Sequence, residues 1–253
     1  MREQVTRRAT LRRLAAGALA PALLPKSARA AEDVGAGQPE GLCVLFPRAV
    51  EGPYYFDPEL ARPDIAEDRP GVPVELRLGV VDIAGCRPIV NARVDVWHAD
   101  GLGIYSGYAG QGEDRSISTE GQSFLRGTQM TDAGGGVVFR TIFPGWYPGR
   151  APHMHVKVLL DATSLATGQI YFPDALSARL YRQHAPYSTR PVADTTNATD
   201  GFFLTGGPDG GGAIAAIEAL PEAIVATLLV AVDRTGAAAR GGWRGFVRRL
   251  VGW

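Results

Sequence analysis

No apolar run in this 253-residue chain approaches the roughly 18 residues that cross a bilayer as a helix, so an integral membrane protein is not indicated. Cysteine is scarce: there are two, Cys43 and Cys86, and neither has another Cys or a His at the spacing of a metal finger. Net charge is absent, with 26 basic against 26 acidic residues, and so is the basic signature of a nucleic-acid binder. Charged residues stand at 21% and hydrophobic ones at 45%, a globular and not a disordered composition. What is abundant is glycine and proline. With 32 Gly and 18 Pro the chain is rich in turns, which favours β architecture over a helix bundle.

The zero net charge joins unlike parts. Residues 1–30 carry seven basic residues and one acid, leaving 19 basic against 25 acidic residues in the remainder. That acidic body should not be drawn to phosphate or anionic lipid. The basic leader reads as an address. Thr6-Arg7-Arg8-Ala9-Thr10-Leu11-Arg12 is a twin-arginine pattern, an apolar stretch runs from Leu14 to Leu24, and Ala28-Arg29-Ala30 supplies small residues for a signal peptidase. Residues 1–30 are therefore expected to be a twin-arginine export signal cleaved after Ala30; the alternative is an ordinary basic helix. Export would place the mature chain in the periplasm, on the cell surface or in the medium, where disulfides persist. In that setting a Cys43–Cys86 bridge, tying the N-terminal arm to the first strands, is preferred to two buried thiols.

The mature chain reads as short strands joined by turns. Residues 74–80 alternate strictly, as a strand with one buried face does. Further strands are expected over 92–97, 137–143, 153–159, 168–172, 202–204 and 224–232, with one short helix over 175–183 capped by Asp174. This is an all-β pattern: a β-sandwich of short, mainly antiparallel strands with long loops and little helix. Residues 31–41 read as a linker, 42–235 as one sandwich domain and 236–253 as an amphipathic C-terminal tail. Residues 99–128 look irregular and polar, and a loop of that length in a compact domain is often functional.

Outside the leader there are four histidines, and two of them form His153-Met154-His155 on an expected strand. Strand side chains alternate, so His153 and His155 project from one face while Met154, Val156 and Val158 take the other. Two imidazoles so placed can converge on a metal, although His-X-His also arises from packing. A carboxylate partner, as in the two-His-one-carboxylate centres, is missing nearby: Asp161 lies six residues on. His98 is open as a third ligand. The neighbours that stand out are tyrosines, Tyr105, Tyr108 and Tyr147. A tyrosinate is a hard anionic oxygen donor suited to Fe(III), and a trivalent ion can drive off a phenolic proton of pKa near 10.

The chain contains, in order, Glu51-Gly52-Pro53-Tyr54-Tyr55, Val94-Asp95-Val96-Trp97-His98-Ala99, Gly103-Ile104-Tyr105-Ser106, Pro144-Gly145-Trp146-Tyr147, Arg150, His153-Met154-His155 and Gly168-Gln169-Ile170-Tyr171-Phe172. Each is weak alone. In this order they make the chain resemble the intradiol ring-cleavage dioxygenases, of the protocatechuate 3,4-dioxygenase type, from about Glu51 to Val232. The resemblance implies a β-sandwich holding one mononuclear, non-haem Fe(III) through Tyr105, Tyr147, His153 and His155, with Tyr108 the competitor for the first position. It makes Tyr147 and His153 the axial pair. It also implies that Tyr147 takes a substrate proton, that Arg150 stabilises developing negative charge, and that Gln169 hydrogen-bonds near the iron. The implied partners are a small aromatic diol and O2, both of whose atoms enter a cis,cis-muconate-type diacid.

Two other readings stay on the table. One is an exported β-sandwich binding module that retains the metal site without turnover. The other is a zinc hydrolase or cupin, which the missing carboxylate opposes. No nucleic acid partner is expected. The tail, with Trp243, Phe246, Val247 and Leu250 between arginines, could touch a membrane surface or pack on its own domain, and a homo-oligomer is left open.

Overall fold

Strands alternate with turns because β-branched and aromatic runs are cut by Gly and Pro throughout. The computed structural model describes residues 43–57, 59–206, 211–221 and 223–235. The expectations for the export signal, the linker and the tail fall outside those residues. The described elements are β1 (Pro73–Asp82), β2 (Arg87–Pro88), β3 (Arg93–Trp97), β4 (Arg126–Met130), β5 (Gly136–Ile142), β6 (His153–Leu160), β7 (Thr163–Tyr171), α1 (Asp174–Gln183), α2 (Gly201–Thr205), β8 (Ala213–Ile214), β9 (Ala216–Ala219) and β10 (Ile224–Val232).

The strands form two mixed sheets. In the first, β1 is central: β10 lies parallel along one edge, with β9 antiparallel beyond it, while β5 and the short β2 share the other edge. The second runs β4-β3-β6-β7-β8, antiparallel except for β7 with β8. One core fills the space between the sheets. Val74, Leu76, Leu78 and Val80 of β1 and Val137 and Phe139 of β5 meet Val94 and Val96 of β3 and Met154, Val156 and Val158 of β6. The N-terminal arm crosses both layers, with the Phe46 amide bonded to Ala231 O at 2.8 Å and the Ala49 amide to Thr167 O at 3.1 Å. Cys43 and Cys86 are joined as a disulfide, which fastens the start of that arm beside the β1–β2 turn.

Alternation on β6 decides where the chemistry falls. With Met154, Val156 and Val158 committed to the core, His153 and His155 must face outward from the second sheet. That outer face is roofed by the arm and the 98–125 loop, so both histidines are buried all the same.

Three expectations need correction. Residues 202–204 lie in α2, not in a strand: Asp200 accepts hydrogen bonds from the amides of Phe202 and Phe203 and starts a helix. Three apolar residues are too few for period 2 and period 3.6 to be told apart. The cap of α1 is Pro173, and Asp174 is the first helical residue, its carboxylate taken by the Asn197 amide at 3.0 Å. The loop expected to run to Thr128 ends at Arg126, where β4 pairs with β3.

Candidate metal centre

Three stretches of chain bring the outward face of β6 its company. Register places Trp97 of β3 opposite His155 on one side, and Gln169 and Tyr171 of β7 opposite His155 and His153 on the other. The Trp97 and His155 rings stack at 4.8 Å with 10° between planes, which fixes the imidazole's tilt. Gly52, at φ +77°, passes beneath the same imidazole: a Cβ there would stand 3.3 Å from its Cε1, and only glycine adopts that backbone without strain. Tyr105 arrives from the 98–125 loop and Tyr147 from the turn between β5 and β6. Gly103, at φ +80°, seats these two segments against each other, because a Cβ there would collide with the Trp146 carbonyl oxygen.

The four side chains meet through their heteroatoms. Tyr147 Oη lies 3.1 Å from His153 Nε2, which lies 3.2 Å from His155 Nε2, which lies 3.1 Å from Tyr105 Oη. Two donors at right angles on metal bonds of about 2.1 Å stand about 3 Å apart, so this spacing suits one small ion. The lone pairs suit it as well. His153 Nδ1 faces the Ala151 carbonyl at 2.7 Å, which requires the proton on Nδ1 and leaves Nε2 free to bind. Burial, reinforced by Arg150, pushes the His153 imidazole down to about 3, and burial with His153 beside it holds His155 well below its usual range. Both rings are therefore neutral, as ligands must be. Burial pushes both phenols upward, with Tyr147 adding to the effect on Tyr105 and Arg150 opposing it on Tyr147, so a cation is needed to ionise them. Among the described residues no cluster of three His, Cys, Asp or Glu offers a competing site.

Arg150 organises the far side of the cluster. Its Nη1 donates to Tyr147 Oη at 3.2 Å, its Nη2 to Gln169 Oε1 and to Tyr171 Oη at 3.1 Å, and its Nε to Asp200 at 2.9 Å. Tyr171 Oη also donates to Gln169 Oε1 at 2.6 Å. With both bonds on Oε1, the Gln169 amide is turned so that its buried Nε2 keeps an unspent donor. Asp200, fully buried, accepts from Arg150 Nε, from the Ala151 amide, and from the two amides that begin α2. Burial alone would raise its carboxyl, but Arg150 and the amides of Phe203 and Ala151 overcome this and hold it below the usual carboxylate range.

The structure thus brings together all six residues singled out from the sequence: Tyr105, Tyr147, His153, His155, Arg150 and Gln169. It separates two that had been weighed. His98 turns to the Ala99 carbonyl at 2.8 Å and Thr141 Oγ1 at 2.7 Å, and Tyr108 donates to the Tyr55 carbonyl at 2.8 Å. Asp200 and Tyr171 were missed. Tyr171 was legible, being two residues after Gln169 on the same strand face. Asp200 carried the signature of a helix cap, but its partner is 50 residues away in sequence.

Above the cluster a cavity of about 290 Å³ opens, with Tyr54, Tyr105 and Tyr147 in its wall.

The fold is thus a two-sheet β-sandwich with a buried cluster of two tyrosines and two histidines on one outer face, able to hold one small ion, and an aromatic-walled cavity over it. Comparison with known proteins gives the class its family. A family model described as Dioxygenase matches residues 50–179. An intradiol ring-cleavage dioxygenase from Tetranychus urticae superposes with a TM-score of 0.68 at 33% identity, covering 76% of this chain and 95% of that one. The dioxygenase domain of a dioxygenase–carbohydrate-binding fusion from Streptomyces sp. SirexAA-E gives 0.53 at 26% identity, over 75% and 98%. Catechol 1,2-dioxygenase of Acinetobacter baylyi is 35% identical over 120 residues, 46% of this chain and 36% of that protein. The chain belongs to the intradiol ring-cleavage dioxygenase family. Its match spans 36–40% of the length of the curated catechol 1,2-dioxygenases it resembles.

Proposed function

We propose that this protein cleaves a catechol-type ring between its two hydroxyl-bearing carbons, inserting both atoms of O2 to give a cis,cis-muconate-type diacid. The observation that carries this is the run of three contacts at 3.1–3.2 Å that joins Tyr147 to His153, His153 to His155 and His155 to Tyr105. The donor set, two phenols and two neutral imidazoles, fits Fe(III) better than zinc, which prefers thiolate, imidazole and carboxylate. When bound, a ferric ion supplies Lewis acidity and a chelating template for the two diol oxygens.

The chain's own groups do the rest. Tyr147 Oη, steadied by Arg150 Nη1, is placed to accept a proton from the incoming diol. Arg150 then remains as a cation held by Asp200, set to oppose negative charge that develops on the ring oxygens. Gln169 Nε2, with no acceptor of its own, is the free donor at the same wall. Trp97, stacked on His155, and the surrounding tyrosines exclude water from the donor face. Export through the twin-arginine route belongs to the same proposal; the leader pattern supports it, and the Cys43–Cys86 bridge suits an oxidising compartment.

The test is the visible spectrum of the iron-loaded mature protein, before and after catechol under nitrogen, followed by product analysis in air. A tyrosinate-to-iron charge-transfer band that shifts with catechol, and a ring-opened diacid in air, are expected. A colourless protein at full iron occupancy refutes the donor assignment. A coloured protein that leaves catechols intact refutes the activity.

A further inference from the structure

The two histidines of the cluster sit on β6, where pairing with β3 and β7 fixes them, but the two tyrosines lie outside the strands. Tyr105 belongs to the 98–125 loop and Tyr147 to the turn between β5 and β6. Contacts of 3.1 Å from each tyrosine to a histidine require both segments to be held as firmly as the strand. A carboxylate outside the cluster joins those two segments. It is Asp100, buried at 3% exposure.

Asp100 closes a tight turn on itself. Its Oδ1 accepts from the Leu102 amide at 2.9 Å and from the Ile104 amide at 3.0 Å, the way a short acidic side chain stands in for backbone. Its own amide donates to the Ile104 carbonyl at 2.9 Å, and its carbonyl accepts from the Gly103 amide at 2.9 Å. Tyr105 is the next residue, so this turn sets where its backbone begins. The same Asp100 carbonyl accepts from the Gly145 amide at 3.0 Å, two residues before Tyr147. The segments meet backbone to backbone: a Cβ on Gly145 would stand 2.3 Å from that carbonyl oxygen, and one on Gly103 2.3 Å from the Trp146 carbonyl oxygen. Arg190 Nη1 also donates to the Trp146 carbonyl, at 2.6 Å. The Tyr105 and Tyr147 rings end 5.7 Å apart, edge to face.

The second carboxylate oxygen is less committed. Oδ2 meets only Arg69 Nη1, at 3.3 Å, and the Arg69 side chain is 33% exposed. The turn therefore uses an acceptor oxygen, while the charge answers to Arg69.

We propose that Asp100 is a positioning residue: through Oδ1 and its carbonyl it locks the Tyr105 loop to the Tyr147 turn and sets the spacing of the two phenols. This rests on the donor set of the ring-cleavage reading and adds the group that spaces half of it.

The test compares three variants of the mature protein. Asp100→Asn keeps an oxygen at Oδ1, Asp100→Ser keeps a shorter and weaker acceptor, and Asp100→Ala keeps none. Each is loaded with iron, and the tyrosinate-to-iron charge-transfer bands and the iron affinity, by competition with a chelator, are measured. Asp100→Asn should keep the parent's bands and nearly its affinity. Asp100→Ala should shift the bands and lose about 10- to 100-fold in affinity, the usual cost of losing a group that orients a metal ligand. Asp100→Ser should fall between them, and it carries the test if Asp100→Ala fails to fold. All three lose the pair with Arg69 and should be less stable in urea, so bands that move only where the acceptor is lost or weakened separate positioning from stability. Parent-like bands and affinity in a folded Asp100→Ala or in Asp100→Ser overturn the proposal. So does an Asp100→Asn shifted as far as either, because the charge and not the acceptor would then matter. Bands in the expected order on a protein that leaves catechols intact uphold the proposal and refute ring cleavage; a parent with no charge-transfer band refutes both.

Discussion

Removing the Asp200 carboxylate should show how much of the centre depends on one buried ion pair. Its side chain is fully buried and that of Arg150 is 11% exposed, with 2.9 Å between them. Breaking a buried pair by deleting one partner typically costs about 3–5 kcal/mol, because the other charge stays desolvated. The same carboxylate caps α2 through the Phe202 and Phe203 amides, which is worth about 1 kcal/mol more. Asp200→Ala should therefore lose about 4–6 kcal/mol of unfolding free energy. Asp200→Asn keeps an oxygen for the cap and should lose about 3 kcal/mol. Urea denaturation of the metal-free mature protein reads both, and a double-mutant cycle with Arg150→Met should give a coupling of about 2 kcal/mol or more. The freed Arg150 would also lose its aim at Tyr147 and Gln169, so both variants, once iron-loaded, should show a shifted charge-transfer band. Variants within about 1 kcal/mol of the parent, with no coupling to Arg150, would refute the reasoning.

The same pair sets an acid limit. Asp200 has a folded-state pKa below its unfolded value, so its stabilisation is complete above about pH 4 and fades as pH falls through the folded value; denaturation midpoints across acid pH should show this, and Asp200→Asn should flatten it. Trp97→Ala removes a fully buried ring stacked on His155, and should cost about 3–5 kcal/mol by denaturation together with a measurable loss of iron affinity by competition with a chelator. The Cys43–Cys86 bridge closes a span of 43 residues, so replacing both cysteines with Ser should cost about 4 kcal/mol, and reductant should destabilise the parent protein but not the variant.

Much of the molecule was legible from local pattern. Alternation over 74–80 and 153–159 revealed strands and which residues they bury, because a half-buried strand writes its two faces in period 2. The same rule puts His153 and His155 on one face of their strand. Where local signals were short they misled: Phe202 to Leu204 could be strand or helix, and the choice was made by a carboxylate two residues upstream that sequence pattern alone did not bring into play. The start of β4 at Arg126 was hidden for a related reason, since a polar edge strand is defined by its partner β3 and hardly at all by its own composition.

The sequence by itself determined the all-β character, the His-X-His pair, the order of motifs that marks the family, and the residue types able to hold a hard metal ion. These follow from side-chain chemistry and from spacing within single strands and turns. Only the tertiary structure decided that Tyr105, 50 residues from His155, meets it at 3.1 Å, that His98 and Tyr108 are spent elsewhere, and that Asp200 reaches back 50 residues to fix Arg150. It alone placed Arg190 over Trp146 at the end of the cavity. Those facts depend on which loops lie over the outer face of the second sheet, and that is set by the packing of the core beneath it.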